Sequence, residues 1–469
     1  MPPIFDKFFR GKSAPPSSPK DAFDDLFAQA AAAAPARDLP RALELYDRAI
    51  AADASRAEGH YKRANVLKDL GRLAEAAAGY DEAIRCNPGY FQAYCNRGSV
   101  QHNLGLWTDA LASFDHAIEL ERGDAFSHYN RALVLQDSNR WEEALESYDT
   151  ALKLAPTFAD AQYNRALCLL FLGRFEPGWT GYEWRWKNAE RLGIGLERAF
   201  TQPLWLGKES IAERRLLLHA EAGLGDTIQF SRYATLCAAR GATVILEVQA
   251  PLLDLLAGLE GVSQVVARGG PLPPFDLHCP MMSLPLALST TVESIPAPHK
   301  YLHTDPAWAA HWRRTLGERT RPRIGLCWSG NPNNPIDRRR SIALADWVAH
   351  LPAELHYFCL QTEVREADAA TLDASEAIFR FDEAGRDFAS TAALCECMDL
   401  IVTVDTSVAH LAGALGLPTW VLLPEPPDWR WMRGRLDSPW YPTMKLYRQP
   451  SPGRWDEVFE RISADLRAL

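Results

Sequence analysis

The 469-residue sequence contains no stretch approaching the roughly 18 uninterrupted apolar residues that a bilayer span requires. Its start, Met1-Pro2-Pro3-Ile4-Phe5-Asp6-Lys7, lacks a basic region followed by an apolar one. We therefore expect no membrane span and a cytoplasmic location. Positive charge is also scarce: 50 Lys and Arg face 60 Asp and Glu, a formal charge of -10, which argues against a nucleic-acid or anionic-membrane binder. The nine cysteines are an odd number, scattered in apolar surroundings such as those of Cys168, Cys327 and Cys359, so reduced core thiols are expected in place of a disulfide framework. Only Cys395 and Cys397 stand close together, and without a paired Cys/His cluster they predict no metal site. The rest of the composition, 47% hydrophobic and 23% charged residues over the length of about three domains, describes an acidic globular chain.

Small and aromatic residues recur with one period. Ala64, Gly98, Ala132 and Ala166 follow one another at steps of 34, as do Ala76, Ala110, Ala144 and Gly178. Tyr46, Tyr80, Phe114, Tyr148 and Tyr182 keep the same step, and so do Ala49, Ala83, Ala117 and Ala151. This pattern resembles the tetratricopeptide repeat (TPR), a pair of antiparallel helices in which small residues permit close packing. Gly71, Gly105 and Gly173, with Asn139 substituting once, fall at the turn inside each pair, where a left-handed backbone is needed. We expect a turn-rich, flexible lead-in over 1–20 and a solenoid over 21–190, with three full repeats from about 57 to 158 and divergent ones on either side. The aromatic end Trp179-Thr180-Gly181-Tyr182-Glu183-Trp184-Arg185-Trp186 either docks the solenoid on the next domain or forms an exposed patch. Asn96, Asn130 and Asn164, each followed by arginine, occupy equivalent places on successive first helices. Such a ladder would either hydrogen-bond an extended peptide in the concave groove or serve helix packing.

Beyond residue 210 short apolar runs alternate with helical stretches, as in βαβ units on parallel sheets. Candidate strands are Leu216–Ala220, Thr243–Val248, Val262–Ala267 and Leu277–Pro280, then Arg323–Trp328, Leu355–Leu360, Leu400–Val404 and Thr419–Leu423. The proline-rich stretch between the two sets predicts two Rossmann-like halves, 200–305 and 320–469, with a cleft at the strands' carboxyl ends. Two turns would face it. In Glu221-Ala222-Gly223-Leu224-Gly225-Asp226-Thr227 the glycines, Gly223 and Gly225, let a ligand approach the backbone, and Asp226 is either an N-cap or a carboxylate aimed into the cleft. The turn is no dinucleotide fingerprint, because the third glycine would fall at Ile228, and no P-loop, because Gly-Lys-Ser/Thr is missing. Gly11-Lys12-Ser13 ends like a P-loop, but Asp6 stands where the leading glycine belongs. The second turn, Val404-Asp405-Thr406-Ser407-Val408-Ala409-His410, brings a strand into a helix whose N-terminus, with the hydroxyls of Thr406 and Ser407, suits phosphate. His410 is a further ligand candidate, or a core histidine. The loop from Ser329 to Pro335 leads into Asp337-Arg338-Arg339-Arg340-Ser341, a solvated charge run or a diphosphate clamp.

Together, Gly225-Asp226, Asp405-Thr406-Ser407 with His410, the repeats, Glu183-Trp184-Arg185-Trp186 and Asp428-Trp429-Arg430-Trp431 resemble bacterial proteins that join TPR repeats to a GT-B glycosyltransferase of the heptosyltransferase type. The group is similar to the enzymes that attach N-acetylglucosamine to Ser and Thr, and includes flagellin-modifying members. The resemblance implies an α-helical TPR solenoid followed by an α/β GT-B fold, an acceptor-side half and a nucleotide-sugar half. The activity it implies is transfer from a nucleotide-sugar donor to Ser or Thr of a protein acceptor, such as flagellin, held by the groove of Asn96, Asn130 and Asn164. Asp226 would be the general base. Gly223, Gly225, Ser329, Thr406, Ser407 and His410 would surround donor phosphate, and Gln361 or Glu363 would meet the nucleoside. Where heptosyltransferases carry a lysine, this chain offers Arg338, Arg339 and Arg340. Asp-x-Asp is absent, which disfavours the metal-dependent GT-A fold; no metal or separate cofactor is expected, and arginines and helix dipoles would stabilise the leaving phosphate. The aromatic tract from Asp428 to Pro442 would either stack on a sugar or base face or pack against the cleft wall, and the final helix Trp455–Leu466 would cross back onto the first half. Two other readings stand beside this one: a non-catalytic TPR scaffold with a degenerate nucleotide-binding domain, and a glycosyltransferase acting on lipopolysaccharide.

Overall fold

The computed structural model describes residues 19–192, 200–334, 337–361, 363–381 and 387–469. Most of the expected lead-in, and Gly11-Lys12-Ser13 with it, lies outside the described residues, while Pro19 and Lys20 already open the first helix. The chain forms two compact units, 1–161 and 162–469. The last helical pair is thus grouped with the α/β part, where the periodicity alone joins it to the solenoid.

Helical hairpins run Pro19–Ala33 with Leu39–Ala52, Ala57–Asp69 with Leu73–Cys86, Phe91–Asn103 with Trp107–Leu120, and Ala125–Asp137 with Trp141–Leu154. A fifth pairs Ala159–Phe171 with Phe175–Tyr182. Their spacing follows from the small residues: a Cβ on Gly98 would stand 2.9 Å from the Phe114 ring, and one on Gly79 would stand 2.9 Å from Ala64. Tyr46, Tyr80, Phe114 and Tyr148 are buried in the resulting cores. The hairpin turns are left-handed, with φ of 75° at Gly71, 74° at Gly105, 77° at Gly173 and 62° at Asn139. At Asn139 the side chain repays the missing glycine by accepting a 2.5 Å bond from Trp141 Nε1. Between successive hairpins one ion pair recurs: Arg63 with Asp47 at 2.5 Å, Arg97 with Asp81 at 2.7 Å, Arg131 with Asp115 at 2.6 Å.

The second unit holds two sheets of parallel strands. β1 (Arg215–His219), β2 (Thr243–Val248), β3 (Val262–Ala267) and β4 (Leu277–Pro280) are ordered β3-β2-β1-β4. β5 (Arg323–Cys327), β6 (His356–Cys359), β7 (Ile378–Phe379), β8 (Leu400–Val404), β9 (Thr419–Leu423) and β10 (Met444–Arg448) are ordered β10-β9-β8-β5-β6-β7. Helices cover both faces of such sheets, so the strands read as continuous apolar runs, Leu216-Leu217-Leu218 in β1 for example. The sequence pattern does not single out β7 or β10. The former is two residues long; the latter is an edge strand in which exposed Lys445 interrupts the apolar run.

Strand order fixes where a ligand can sit. In the first sheet the chain moves from β1 outward to β3 and returns on the other side at β4; in the second it moves from β5 to β7 and returns at β8. Crevices open outside the carboxyl ends at these reversals, and the loops after β1, β5 and β8 face a common cleft together with those after β6 and β9. One expectation is corrected. The final helix, Asp456–Leu466, joins Val458, Phe459, Ile462 and Leu466 to the core built by Ile324 and Tyr447 of the second sheet with Trp347 and Leu355 beside it, and does not cross to the first, because its apolar stripe completes that core.

The aromatic end of the last hairpin packs into the α/β body. Trp179 is buried, donates a 3.1 Å bond to the Thr290 carbonyl and meets Trp429 edge-on at 5.3 Å. Arg185, fully buried, donates to Glu221 at 2.7 Å, Glu183 at 2.6 Å and Ser283 at 2.6 Å.

Candidate functional site

A cleft of about 1110 Å³ opens at the strand carboxyl ends. Its lining gathers Gly223, Gly225, Asp226, Ser329, Arg340, Gln361, Glu363, Thr406, Ser407 and His410, residues drawn from five separate stretches of sequence.

Two helices begin there, Leu224–Ser231 after Gly223 and Ser407–Ala414 after Thr406. Their first turns carry unpaired N–H groups and partial positive charge. They meet at Gly225, where a Cβ would stand 2.8 Å from His410 Cδ2 and 3.3 Å from Ser407 Cα, so only glycine allows the crossing. Asp226 proves to be the third residue of its helix: Oδ2 accepts a 2.9 Å bond from the Gly223 N–H, and Oδ1 pairs with Arg430. It is thus a capping carboxylate and a cleft-lining one at once, with a quarter of its side chain exposed.

Of the three consecutive arginines, Arg340 lines the cleft, whereas Arg338 and Arg339 are exposed and outside it. The run forms a single helical turn, Asp337–Arg340, and successive residues on a helix point about 100° apart, so they cannot converge. Arg340 Nη1 donates to the Asp405 carbonyl at 2.5 Å, and its Nε bonds buried Asp337 at 3.3 Å. Asp337 also holds Arg365, which donates to the Gly330 carbonyl at 3.0 Å and lines the cleft as well. A Cβ at Gly330 would stand 2.5 Å from Arg340 Nη2 and 2.6 Å from Asp337 Oδ1, so a larger residue there would displace both side chains.

Gln361 does not present a free amide to a nucleoside. Its Oε1 accepts from the N–H groups of Trp328 and Ser329 at 3.2 Å, and its Nε2 donates to the Ser329 carbonyl at 2.7 Å, which braces the loop after β5. The Ser329 hydroxyl, buried beside it, has no hydrogen-bond partner among the described residues. Glu363 is exposed at the cleft margin. His410 stacks on Trp431 at 5.8 Å and its Nδ1 lies 3.0 Å from Tyr441 Oη. Burial, with Arg430, Arg232 and Arg340 nearby, pushes its pKa well below the usual imidazole range, so the ring is neutral. Asp405 moves the other way: burial and neighbouring Asp428 raise its carboxyl to about 6.

Sequence reasoning gave no site role to Arg365, Arg430, Asp405 or Asp428, although the last three stand in its motifs, and all four line the cleft. Arg430 lies in the aromatic tract, where the tryptophans draw the eye. Those do pack, with Trp429, Trp431 and Trp440 buried, although Trp429 also faces the cleft. Burial pulls the Arg430 guanidinium toward losing its proton, but Asp428 and Asp226 outweigh it and keep it charged. Among the described residues no group of three or more His, Cys, Asp or Glu is arranged to hold a metal ion.

The asparagine ladder is uneven. Asn96 Nδ2 donates to Tyr61 Oη at 3.0 Å and Asn65 Oδ1 at 2.9 Å, inside the solenoid's own packing, whereas Asn130 Nδ2 bonds the Phe126 carbonyl of its own helix at 2.8 Å. Asn164 belongs to the second unit. No described helix is long and apolar enough to cross a membrane.

A TPR-repeat model matches residues 64–105 and 136–173. Arrays of this kind bind peptides or proteins. Protein FlbA of Caulobacter vibrioides is 27% identical over 295 residues, 56% of this chain, and the chain spans about half the length of that relative (48%). Among solved structures, MamA is 19% identical over 34% of this chain and 95% of its own, with a TM-score of 0.33. YrrB, described as a TPR protein with an unusual peptide-binding site, is 22% identical over 36% of this chain and 91% of its own, with a TM-score of 0.32. The chain thus carries TPR repeats and is similar to FlbA over part of its length, and an α/β region of two parallel sheets follows its repeats.

Proposed function

We propose that the chain is a GT-B-type glycosyltransferase that moves a sugar from a nucleotide-sugar donor to Ser or Thr hydroxyls of a protein acceptor bound by the repeats, flagellin being the acceptor that the family resemblance suggests. One observation carries the reading: two helix N-termini and the guanidinium groups of Arg340 and Arg365 converge on one cleft at the reversals of two parallel sheets. That setting suits a diphosphate. Asp226 takes the proton of the acceptor hydroxyl as its oxygen bonds the sugar's anomeric carbon. The bond from that carbon to the donor phosphate breaks, and the phosphate leaves with the electron pair, its charge met by the arginines and by the helix Ser407–Ala414.

A non-catalytic scaffold has one observation in its favour, namely that Asp226 already holds an ion pair with Arg430. Mass spectrometry of acceptor proteins incubated with a panel of UDP-, GDP-, ADP- and CMP-sugars separates the two readings. A sugar mass added to Ser or Thr by the parent, and lowered about 10²–10⁴-fold by Asp226→Asn, is the expected result. Donor binding without transfer to any surface-protein acceptor would favour the scaffold.

A further inference from the structure

Arg430 is the side chain through which the second half of the α/β unit grips the helix that carries Asp226. Its Nε donates to Gln229 Oε1 at 2.7 Å, Nη1 donates to Asp428 Oδ1 at 2.9 Å, and Nη2 pairs with Asp226 Oδ1. The guanidinium lies 4.4 Å from the Trp429 ring centroid and 5.8 Å from that of Phe230, and only 9% of the side chain is exposed. Three directed bonds and two ring faces leave the fork a single orientation. Gly223 and Arg430 supply one donor to each oxygen of Asp226, so the carboxylate cannot rotate. Each oxygen keeps a further lone pair, and the exposed quarter of the side chain faces the cleft. The helix is held again just beyond its end, where Arg232 donates to the Trp440 carbonyl at 2.6 Å and the Pro296 carbonyl at 3.1 Å.

We infer that Arg430 is the positioning residue of Asp226, fixing the carboxylate plane so that its remaining lone pair meets the acceptor hydroxyl. The inference rests on the glycosyltransferase reading. A carboxylate free to rotate would still be basic but would meet the hydroxyl in the productive geometry only part of the time, and misplacement by about 1 Å can cost on the order of 10²-fold in rate. Lysine cannot replace the fork, since one ammonium cannot serve Asp226, Gln229 and Asp428 in fixed directions.

The test compares the full-length parent with Arg430→Gln, Arg430→Lys, Asp226→Asn and the double variant Asp226→Asn/Arg430→Gln. Turnover is measured with whichever nucleotide-sugar the parent uses, and donor affinity by calorimetry. Expected are a fall in kcat of about 10²-fold for Arg430→Gln and about tenfold for Arg430→Lys, donor affinity within about threefold of the parent, and a double variant no slower than Asp226→Asn alone. Parental kcat in Arg430→Lys, or losses that add in the double variant, would overturn the inference while leaving the glycosyltransferase reading intact. So would a parallel loss of kcat, donor affinity and thermal midpoint in both Arg430 variants, which would make Arg430 a packing residue. A parent that turns over no donor overturns both.

Discussion

A Cβ built on Gly225 would stand 2.8 Å from Cδ2 of His410, nearer than carbon atoms approach in folded proteins. The imidazole cannot retreat, because Trp431 stacks on it and Tyr441 binds its Nδ1. Gly225→Ala should therefore push apart the two helix starts that frame the cleft and cost about 1–3 kcal/mol, as overpacking does. Chemical denaturation reads the cost. An unchanged midpoint would mean that the helices slide past one another without strain.

The buried Asp405 carboxyl gives a pH dependence of definite sign. Its folded pKa, about 6, lies above the ordinary 3.8, so between those values the folded chain binds more protons than the unfolded one. Stability contributed by the protonated group is present at low pH and declines as pH rises through that window. At about 1.36 kcal/mol per unit, the cost at neutral pH is at most about 3 kcal/mol. Asp405→Asn should raise the thermal midpoint at pH 7.5 and leave it unchanged near pH 4. The opposite pattern would show a carboxylate stabilised by its surroundings.

Arg340 and its two neighbours should behave differently although they are consecutive. Removing a charge-assisted bond to a phosphate costs about 1.5–3 kcal/mol, so Arg340→Ala should weaken nucleotide-sugar binding by that amount in a calorimetric titration. Arg338→Ala with Arg339→Ala should leave it within about twofold, since both side chains lie outside the cleft lining. Equal losses would mean that the helical turn reorganises around the ligand.

The asparagines of the solenoid divide in the same way. Asn96 joins Tyr61 and Asn65, the latter also holding Tyr80 Oη at 2.7 Å, so Asn96→Ala should cost about 1–3 kcal/mol by removing two hydrogen bonds among partly buried side chains. Asn130 bonds its own helix, and Asn130→Ala should leave the melting curve nearly unmoved. Any effect of Asn130→Ala on acceptor capture is then a direct readout of the groove.

The fold was legible wherever one physical cause acts locally. Gly71, Gly105, Gly173 and Asn139 announced left-handed turns, and strands buried on both faces, such as Leu400–Val404, announced themselves as apolar runs. The edge strand Met444–Arg448 escaped because part of it answers to solvent, at Lys445 above all. At the site, helix starts could be located from Gly223 and Thr406, yet which arginine enters the cleft could not. Arg340 differs from Arg339 only by helical phase, and Arg430 meets Asp226 across 204 residues, a distance that no local pattern records. The role of Asp226 as both cap and cleft carboxylate likewise depends on a partner outside its own turn.

The ion pair that recurs along the solenoid joins an aspartate of one hairpin to an arginine of the next, each time across 16 residues. The hairpins of residues 57–86 and 91–120 therefore each present an arginine plug on one side and an aspartate socket on the other. A duplicated or deleted 34-residue segment meets its new neighbour with both charges matched, so the length of the array can change by whole units through simple genetic duplication. The number of repeats is a quantity that evolution can adjust independently of the cleft in the second unit.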